Sequence, residues 1–538
     1  MKAAAIPKSD IIILLTGMLV CGFVAMLLGK DLNWDMANYH YYNPYAFLHQ
    51  RWLQDYWPAS FTHVNFSPSA DFISYYLINH FSAPVAIYIS GAIHGVCFFL
   101  LYKIARLFLT SEQTEVAPMF PSLLFAFMGL WQTLVFFVLG SFQNDLLISV
   151  FVLGFFYFSC VWVRQYLVAR RISLPSLVCS GVLLGMSTGL KMTAASFIVG
   201  AVAAYVFMPI NLRDKMKIIF IASAAVVLGF LLVDGYWMLN LWRRFHNPFY
   251  PFLSHWFQID DVYTHVMGSY TPTGLLARLT FPFYPSIDGS VRFREYQFPV
   301  IYILFVITAA LVLLKKFFFK LEIKKNLLIW WFYSFFIFSY LIWENYFGVS
   351  RYVRPLAMLS PLLIFLLLRR SLQVSFWVSF IFVFTLTFST LVPEQGIFRY
   401  PFYQHSYFNV VMPTFVAKTP AALVLMSYPE YANYTVPRPL TYLIPFFPQA
   451  WRFIGIPISE KKETFLAPNE LLKIKQFIKQ NTANFYMTTG DESLSSMYKV
   501  AAALGLQAAG VCEMIHSDRQ LISKQNSYIC PLSKNMVK

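Results

Sequence analysis

Apolar residues fall along this chain in long unbroken runs, with neither the alternation of a soluble sheet nor the stripe of an amphipathic helix. About 20 such residues are needed to cross the hydrocarbon of a bilayer. Runs of that order lie near 11–29, 84–102, 119–139, 146–163, 175–190, 193–210, 218–235, 299–314, 327–343, 353–368 and 374–392. The pattern predicts about eleven transmembrane helices, the fifth and sixth short and hinged around Lys191. The first run follows Lys2 and Lys8, as a signal peptide would. It is long for the apolar part of one, and no small-x-small cleavage site follows, so it reads as a retained anchor. Two connections, about 30–83 and about 236–298, are long and rich in Tyr, Trp, Phe and Pro. They predict interfacial helices and loops at the outer mouth of the bundle.

The pattern changes near residue 393. Segments 421–427, 483–489, 507–515 and 527–532 read as short strands, and 469–480 and 491–505 as helices, which predicts a small α/β domain. The expected organisation is a helical transmembrane domain over 1–392, carrying external loops 30–83 and 236–298, and a soluble domain over 393–538. Charge supplies the orientation. Lys103 and Arg106; Arg164, Arg170 and Arg171; Arg213, Lys215 and Lys217; Lys315, Lys316, Lys320, Lys324 and Lys325; and Arg369 and Arg370 all fall on the turns that are cytoplasmic if the N-terminus is. The turn at 140–145 on the other side has no basic residue. Eleven crossings then leave the C-terminal domain outside, in the periplasm of a bacterial inner-membrane protein.

Composition agrees. Hydrophobic residues make up 58% of the 538 positions, charged residues 12%, and the mean hydropathy is +0.57, which excludes an ordinary soluble enzyme. The net charge of +16 is scattered between apolar runs and forms no basic stripe, so nucleic acid is excluded as a partner. Four cysteines lie in apolar runs. Cys512 and Cys530 lie in the polar C-terminal region and are expected to pair in an oxidising compartment.

Several polar residues stand at the outer ends of the runs. Asp31 and Asp35 open the first long loop. If 34–43 is helical, Asp35, Asn38, Tyr39 and Tyr42 share a face. A carboxylate among aromatics is partly desolvated, which suits a general base, whereas helix capping by Asp31 or Asp35 is the equal alternative. Asn144 and Asp145 head the fourth run; an acid there should face the bundle or a wet cavity, or cap the helix. Lys191 suits either a lipid-linked phosphate or simple snorkelling. Glu344, Arg351, Tyr352 and Arg354 share another outer turn, where arginines suit bidentate phosphate binding. HNPFYPF (246–252) and FREYQFP (293–299) read as rigid turns or a substrate wall. His40, His63 and Asp71 share loop one, but the histidines show no metal-ligand spacing. No cofactor is therefore expected, a divalent metal being the weaker alternative.

Four of these segments, in order, resemble the GT-C superfamily of membrane glycosyltransferases, which includes the lipid A aminoarabinose transferases and the protein O-mannosyltransferases. They are DMANYHYYNPYAFL (35–48), QNDLL (143–147), GLKMT (189–193) and SRYVRPL (350–356). The resemblance covers roughly residues 1–390. It implies that Asp35 is the loop-one general base, that Asp145 is a second acidic position, and that Lys191, Arg351 and Arg354 lie near the phosphate of a polyprenyl-linked sugar. Asn38, Tyr39, His40, Tyr42 and Asp71 would line the substrate loop. NWDM stands where those families have a more typical acidic cluster, so neither donor sugar nor acceptor is inherited. The function implied is inverting transfer of a sugar from a polyprenyl-phosphate donor, among membrane lipids, to a lipid, glycan or protein acceptor. The competing readings are a flippase for lipid-linked sugars and a non-catalytic scaffold. A transporter should carry charged or broken helices at mid-membrane, whereas the polar candidates here cluster at run ends.

Overall fold

The protein is described by a computed structural model over residues 7–59, 63–110, 118–259, 271–283, 295–318, 326–389, 391, 399–400, 406–429, 440–458, 468–481, 483–518 and 526–535. The expected boundary near 392–393 and the first residues of FREYQFP lie outside the described residues. The chain divides into two units. The first comprises Met1–Leu28, Ile87–Leu239 and Met267–Ile397, and the second Gly29–Ala86, Asn240–Val266 and Phe398–Lys538.

The first unit is helical. Seven helices among the described residues are long and apolar enough to cross a membrane: Lys8–Leu28, Ala83–Leu109, Asp145–Ala169, Leu212–Phe245, Gln297–Leu314, Leu327–Tyr346 and Ser350–Ser371. Four shorter apolar helices, Met119–Leu130, Leu174–Leu190, Met192–Val206 and Phe376–Ser389, occupy the remaining apolar runs. Seven and four make the eleven expected, one helix to each run, and the chain is an integral membrane protein. Two runs differ in extent. The run at 119–139 is helical only to Leu130; Gln132 is extended, Thr133–Phe136 forms one short turn, and Gly140 has φ +74°. The helix expected to end at 235 continues to Phe245 and has 34 residues. At 1.5 Å per residue that is about 51 Å, well beyond the hydrocarbon thickness.

Caps and small residues explain several of these elements. Asn326 opens Leu327–Tyr346 by accepting from the amides of Leu328 (3.1 Å) and Ile329 (3.3 Å). Gly181, Gly185 and Gly189 recur every fourth residue along Leu174–Leu190. A Cβ at Gly185 would lie 2.8 Å from the amide nitrogen of Phe230, and one at Gly189 would lie 3.0 Å from the Phe230 carbonyl. That stripe seats the helix directly on the backbone of Leu212–Phe245, the small-residue contact typical of helices in lipid. Lys191 follows at once, in an extended conformation (φ −154°, ψ 112°) that ends the helix.

The second unit contains a six-stranded sheet. Strands β3 (Ala422–Pro429), β4 (Arg452–Ile458) and β5 (Asn484–Gly490) are parallel in the order β4-β3-β5. β8 (Ser527–Lys534) runs antiparallel beside β5 and pairs in turn with β6 (Leu506–Ala508) and β7 (Glu513–Ile515). The helices Pro468–Gln480 and Leu494–Ala503 contribute Ile474, Ile478, Met497 and Val500 to a core with Leu423, Leu425, Ile454, Ile456 and Met487. The single strand expected over 507–515 is two, separated by the segment carrying Cys512, whose sulfur is bonded to that of Cys530 on β8.

Loop one is built into the same unit. β1 (Lys30–Asp31) pairs antiparallel with β2 (Arg399–Tyr400), and Tyr56 bridges Ile454 at the outer edge of β4. Arg51 grips Asp55 in a buried pair at 2.8 Å, and its other nitrogen donates to the Gln449 carbonyl at 2.6 Å. Asp55 also accepts from the Phe453 amide at 3.0 Å and from the Tyr42 hydroxyl at 2.8 Å. Burial, with the Asp55 carboxylate beside it, pushes the Tyr42 hydroxyl well above the usual tyrosine range and keeps it a donor.

Candidate functional site

Residues 141–145 form a tight loop into the helix Asp145–Ala169. Asn144 sits in the left-handed region (φ 65°), a conformation that asparagine tolerates better than most residues, and makes no side-chain cap bond. Asp145 is therefore the first helical residue, where the helix dipole favours a negative charge. Its carboxylate is buried, and three cations from two other segments meet it.

Lys191 Nζ lies 2.6 Å from Asp145 Oδ1, Arg354 Nη1 lies 3.1 Å from Oδ2, and Arg351 Nε lies 3.8 Å from Oδ2. Arg354 is 1% exposed and further fixed: its Nε donates to the Leu134 carbonyl at 2.6 Å and its Nη2 to Gln143 Oε1 at 3.1 Å. The Leu134 amide in turn donates to Glu295 Oε1 at 2.6 Å, so both backbone polar groups of Leu134 are held by side chains remote in sequence. Lys191 and Arg351 are more accessible, with side-chain exposures of 15% and 21%, and both stand over the ring of Tyr352, at 5.0 and 5.5 Å. Asp145, Lys191, Arg351 and Arg354 are thus brought together within the first unit. The carboxylate accepts from an ammonium and a guanidinium. Its geometry is that of a counter-ion which positions cations.

No known family profile matches the sequence, and no curated protein matches it. In structure the chain is similar to the crystal structure of ArnT from Cupriavidus metallidurans bound to undecaprenyl phosphate. The TM-score is 0.49 at 11% sequence identity, over 98% of this chain and 98% of that one. At that score and identity the likeness assigns no role to any residue here.

The loop-one candidates all lie in the second unit. Asp35 is buried at the N-terminal end of a π-helical turn, Met36–His40, and makes no side-chain cap bond. The Met36 amide donates instead to Asn33 Oδ1 at 2.9 Å. Asp31 is held by the Tyr407 hydroxyl, which lies 2.8 Å from its carbonyl and 3.1 Å from its Oδ1, and by Asn33. Asn33 therefore caps the Met36 amide, and Asp35, in the capping position, makes no cap bond with its side chain. The π turn closes its hydrogen bonds five residues apart, so the α-helical spacing behind a common face of Asp35, Asn38, Tyr39 and Tyr42 does not hold. Asn38 and Tyr39 are buried, and Tyr42 is committed to Asp55. His40 Nδ1 lies 2.7 Å from Asp71 Oδ1, both side chains being 3% exposed. The Tyr39 ring packs between those of His40 (4.2 Å) and His63 (4.7 Å). Thus His40 and Asp71, 31 positions apart in sequence, do meet. No group of three or more His, Cys, Asp or Glu side chains suited to a metal ion occurs among the described residues.

Sequence reasoning gave no part to Gln143, Glu295, Asn33, Arg51 or Asp55. Gln143 lies inside QNDLL and Glu295 inside FREYQFP, but nothing local announces that they serve Arg354 and Leu134. The i, i+4 spacing of Arg51 and Asp55 was the one available signal.

Proposed function

We propose that this chain is an inverting glycosyltransferase that moves a sugar from a polyprenyl-phosphate donor to a lipid, glycan or protein acceptor at the outer face of the membrane. The observation that carries this reading is the meeting of Lys191, Arg351 and Arg354 on Asp145, each at the end of an apolar helix. Arginine and lysine side chains held on a fixed carboxylate are preorganised for a phosphate, with no reorganisation needed as its charge develops. The motif order 35–48, 143–147, 189–193 and 350–356 supports the same reading. The placement of these charges at helix ends favours an enzyme over a flippase.

In the proposed reaction the acceptor hydroxyl or amine forms a new bond to the anomeric carbon while the bond from that carbon to the phosphate oxygen breaks. A general base takes the acceptor's proton, the role that the motif DMANYHYYNPYAFL implies for Asp35, and the bonding pair leaves with the polyprenyl phosphate. Lys191 and Arg351, the more accessible cations, meet that leaving charge; Arg354 and Asp145 hold them in place. A single displacement inverts the anomeric centre. No cofactor is called on, because the cations supply the stabilisation that a metal otherwise would. The disulfide of the second unit and the basic residues on the opposite turns support an extracytoplasmic site. Mass spectrometry of lipids and surface glycans with and without the intact gene tests the proposal. One glycan or lipid should lose a single sugar, with its unmodified precursor accumulating. Identical profiles would overturn it.

A further inference from the structure

Glu344 is the acidic residue of the 343–361 turn, and the cation cluster does not engage it. It lies near the C-terminal end of Leu327–Tyr346, is 3% exposed, and its Oε1 has no hydrogen-bond partner among the described residues. One helical turn earlier the shielded hydroxyl of Tyr340 likewise lacks a partner there. The i, i+4 spacing puts both groups on one face. Aromatic rings stand beside them: Phe298 is 5.5 Å from the Tyr340 ring, Trp343 is 5.2 Å from it, and Phe281 is 5.7 Å from Trp343. The Trp343 indole donates to the Val349 carbonyl at 2.7 Å, which fastens this helix end to the turn that leads into Arg351 and Arg354.

A buried carboxyl oxygen and a buried phenol hydroxyl without hydrogen-bond partners cost stability, even with Arg278 in electrostatic reach of Glu344, and native proteins keep such groups where a ligand or water completes them. Here the two stand in an aromatic surround, on the hairpin that also carries the arginines of the proposed phosphate site. A sugar ring has the matching character, with C–H faces that pack on aromatic rings and hydroxyls that donate and accept at once. We infer that Glu344 and Tyr340 form a recognition site for sugar hydroxyls, Glu344 accepting from one hydroxyl and Tyr340 donating to another. The inference rests on the glycosyltransferase reading and adds to it the residues that choose the sugar.

The test measures binding and thermal unfolding of the full chain in detergent, for wild type, Glu344→Gln, Glu344→Leu and Tyr340→Phe. The probes are a polyprenyl-phosphate hexose, sugar-free polyprenyl phosphate and a methyl hexoside. Wild type should bind the sugar-bearing lipid about tenfold or more tightly than the sugar-free one. Glu344→Leu should lose that increment and bind sugar-free lipid as wild type does, with Glu344→Gln, whose amide oxygen is a weaker acceptor, and Tyr340→Phe each losing part of it. Without ligand, Glu344→Leu should melt higher than wild type, since a group kept for binding at a cost in stability has been removed. An increment from the lipid-linked hexose assigns the site to the donor sugar, and binding of the methyl hexoside alone assigns it to the acceptor. The inference is overturned if neither sugar probe gains affinity in wild type, if Glu344→Leu keeps the gain, or if it melts lower and loses all probes alike. Failure of wild type to bind sugar-free polyprenyl phosphate would count against the donor proposal instead. Methyl hexoside binding that depends on Glu344 would survive that result.

Discussion

At the scale of single residues, the acids differ in what each is bonded to. Asp145 is the counter-ion of a cation cluster, and Asp35 is a buried carboxylate at a helix end that does not depend on it for capping. Asp35→Asn should therefore fold and insert normally, because Asn33 already satisfies the Met36 amide. Asparagine cannot accept the acceptor's proton, so transfer should fall about a hundredfold or more. Unfolding curves matching wild type together with lost transfer are the expected pair; near-normal transfer would take Asp35 out of the mechanism. Arg354 calls for the opposite pattern. It bonds Leu134, Gln143 and Asp145 while 1% exposed, so Arg354→Ala should destabilise by about 3–5 kcal/mol. Arg354→Lys should not restore it, because one ammonium cannot reproduce the planar fork. Thermal melts of both variants in detergent check this. The cations were legible in sequence because they interrupt apolar runs. Gln143 and Glu295 were not, since each acts on a residue that only the tertiary structure brings near.

At the scale of elements, hydropathy placed the membrane helices well, for the bilayer imposes a length that composition reveals. It misjudged where 119–139 stops being helical, since Leu134 is held there by Glu295 and Arg354 rather than by its neighbours in the chain. β4 escaped notice because RFIGIPI contains glycine and proline, which argue against a central strand. Pro457 is tolerated because β4 is the edge of the β4-β3-β5 order. The glycine stripe of Leu174–Leu190 has a consequence for the site. Gly185→Val would force that helix off the backbone of Leu212–Phe245 and shift Lys191, which ends it. The variant is expected to unfold at lower temperature and to transfer less, whereas Gly235→Ala, where a Cβ would meet only Leu231 at 3.7 Å, should do neither. Equal melting of the two would remove close packing as the role of the stripe.

At the scale of the whole molecule, the second unit gathers three stretches that are remote in sequence. Nothing local in loop one announces that Asp55 will accept from the amide of Phe453, 398 positions away. Reading the chain in order therefore assigns 30–83 to the membrane domain, while contacts put it with the sheet. Asp55→Ala leaves Arg51 buried without its counter-charge and should loosen β4. Hydrogen exchange over 452–458 should quicken in that variant, and unchanged protection would contradict the stitching of loop one to the sheet. Residues, elements and units meet in the proposed use of a polyprenyl-phosphate donor by the cation cluster. The most direct measurement is release of polyprenyl phosphate from a radiolabelled polyprenyl-phosphate hexose by the purified protein in liposomes, with envelope extract as acceptor. Wild type should release it with transfer of label to the extract, and Lys191→Ala and Arg351→Ala should each slow release about tenfold or more while melting as wild type. Release at the wild-type rate by both variants, or no release by wild type, would contradict the account.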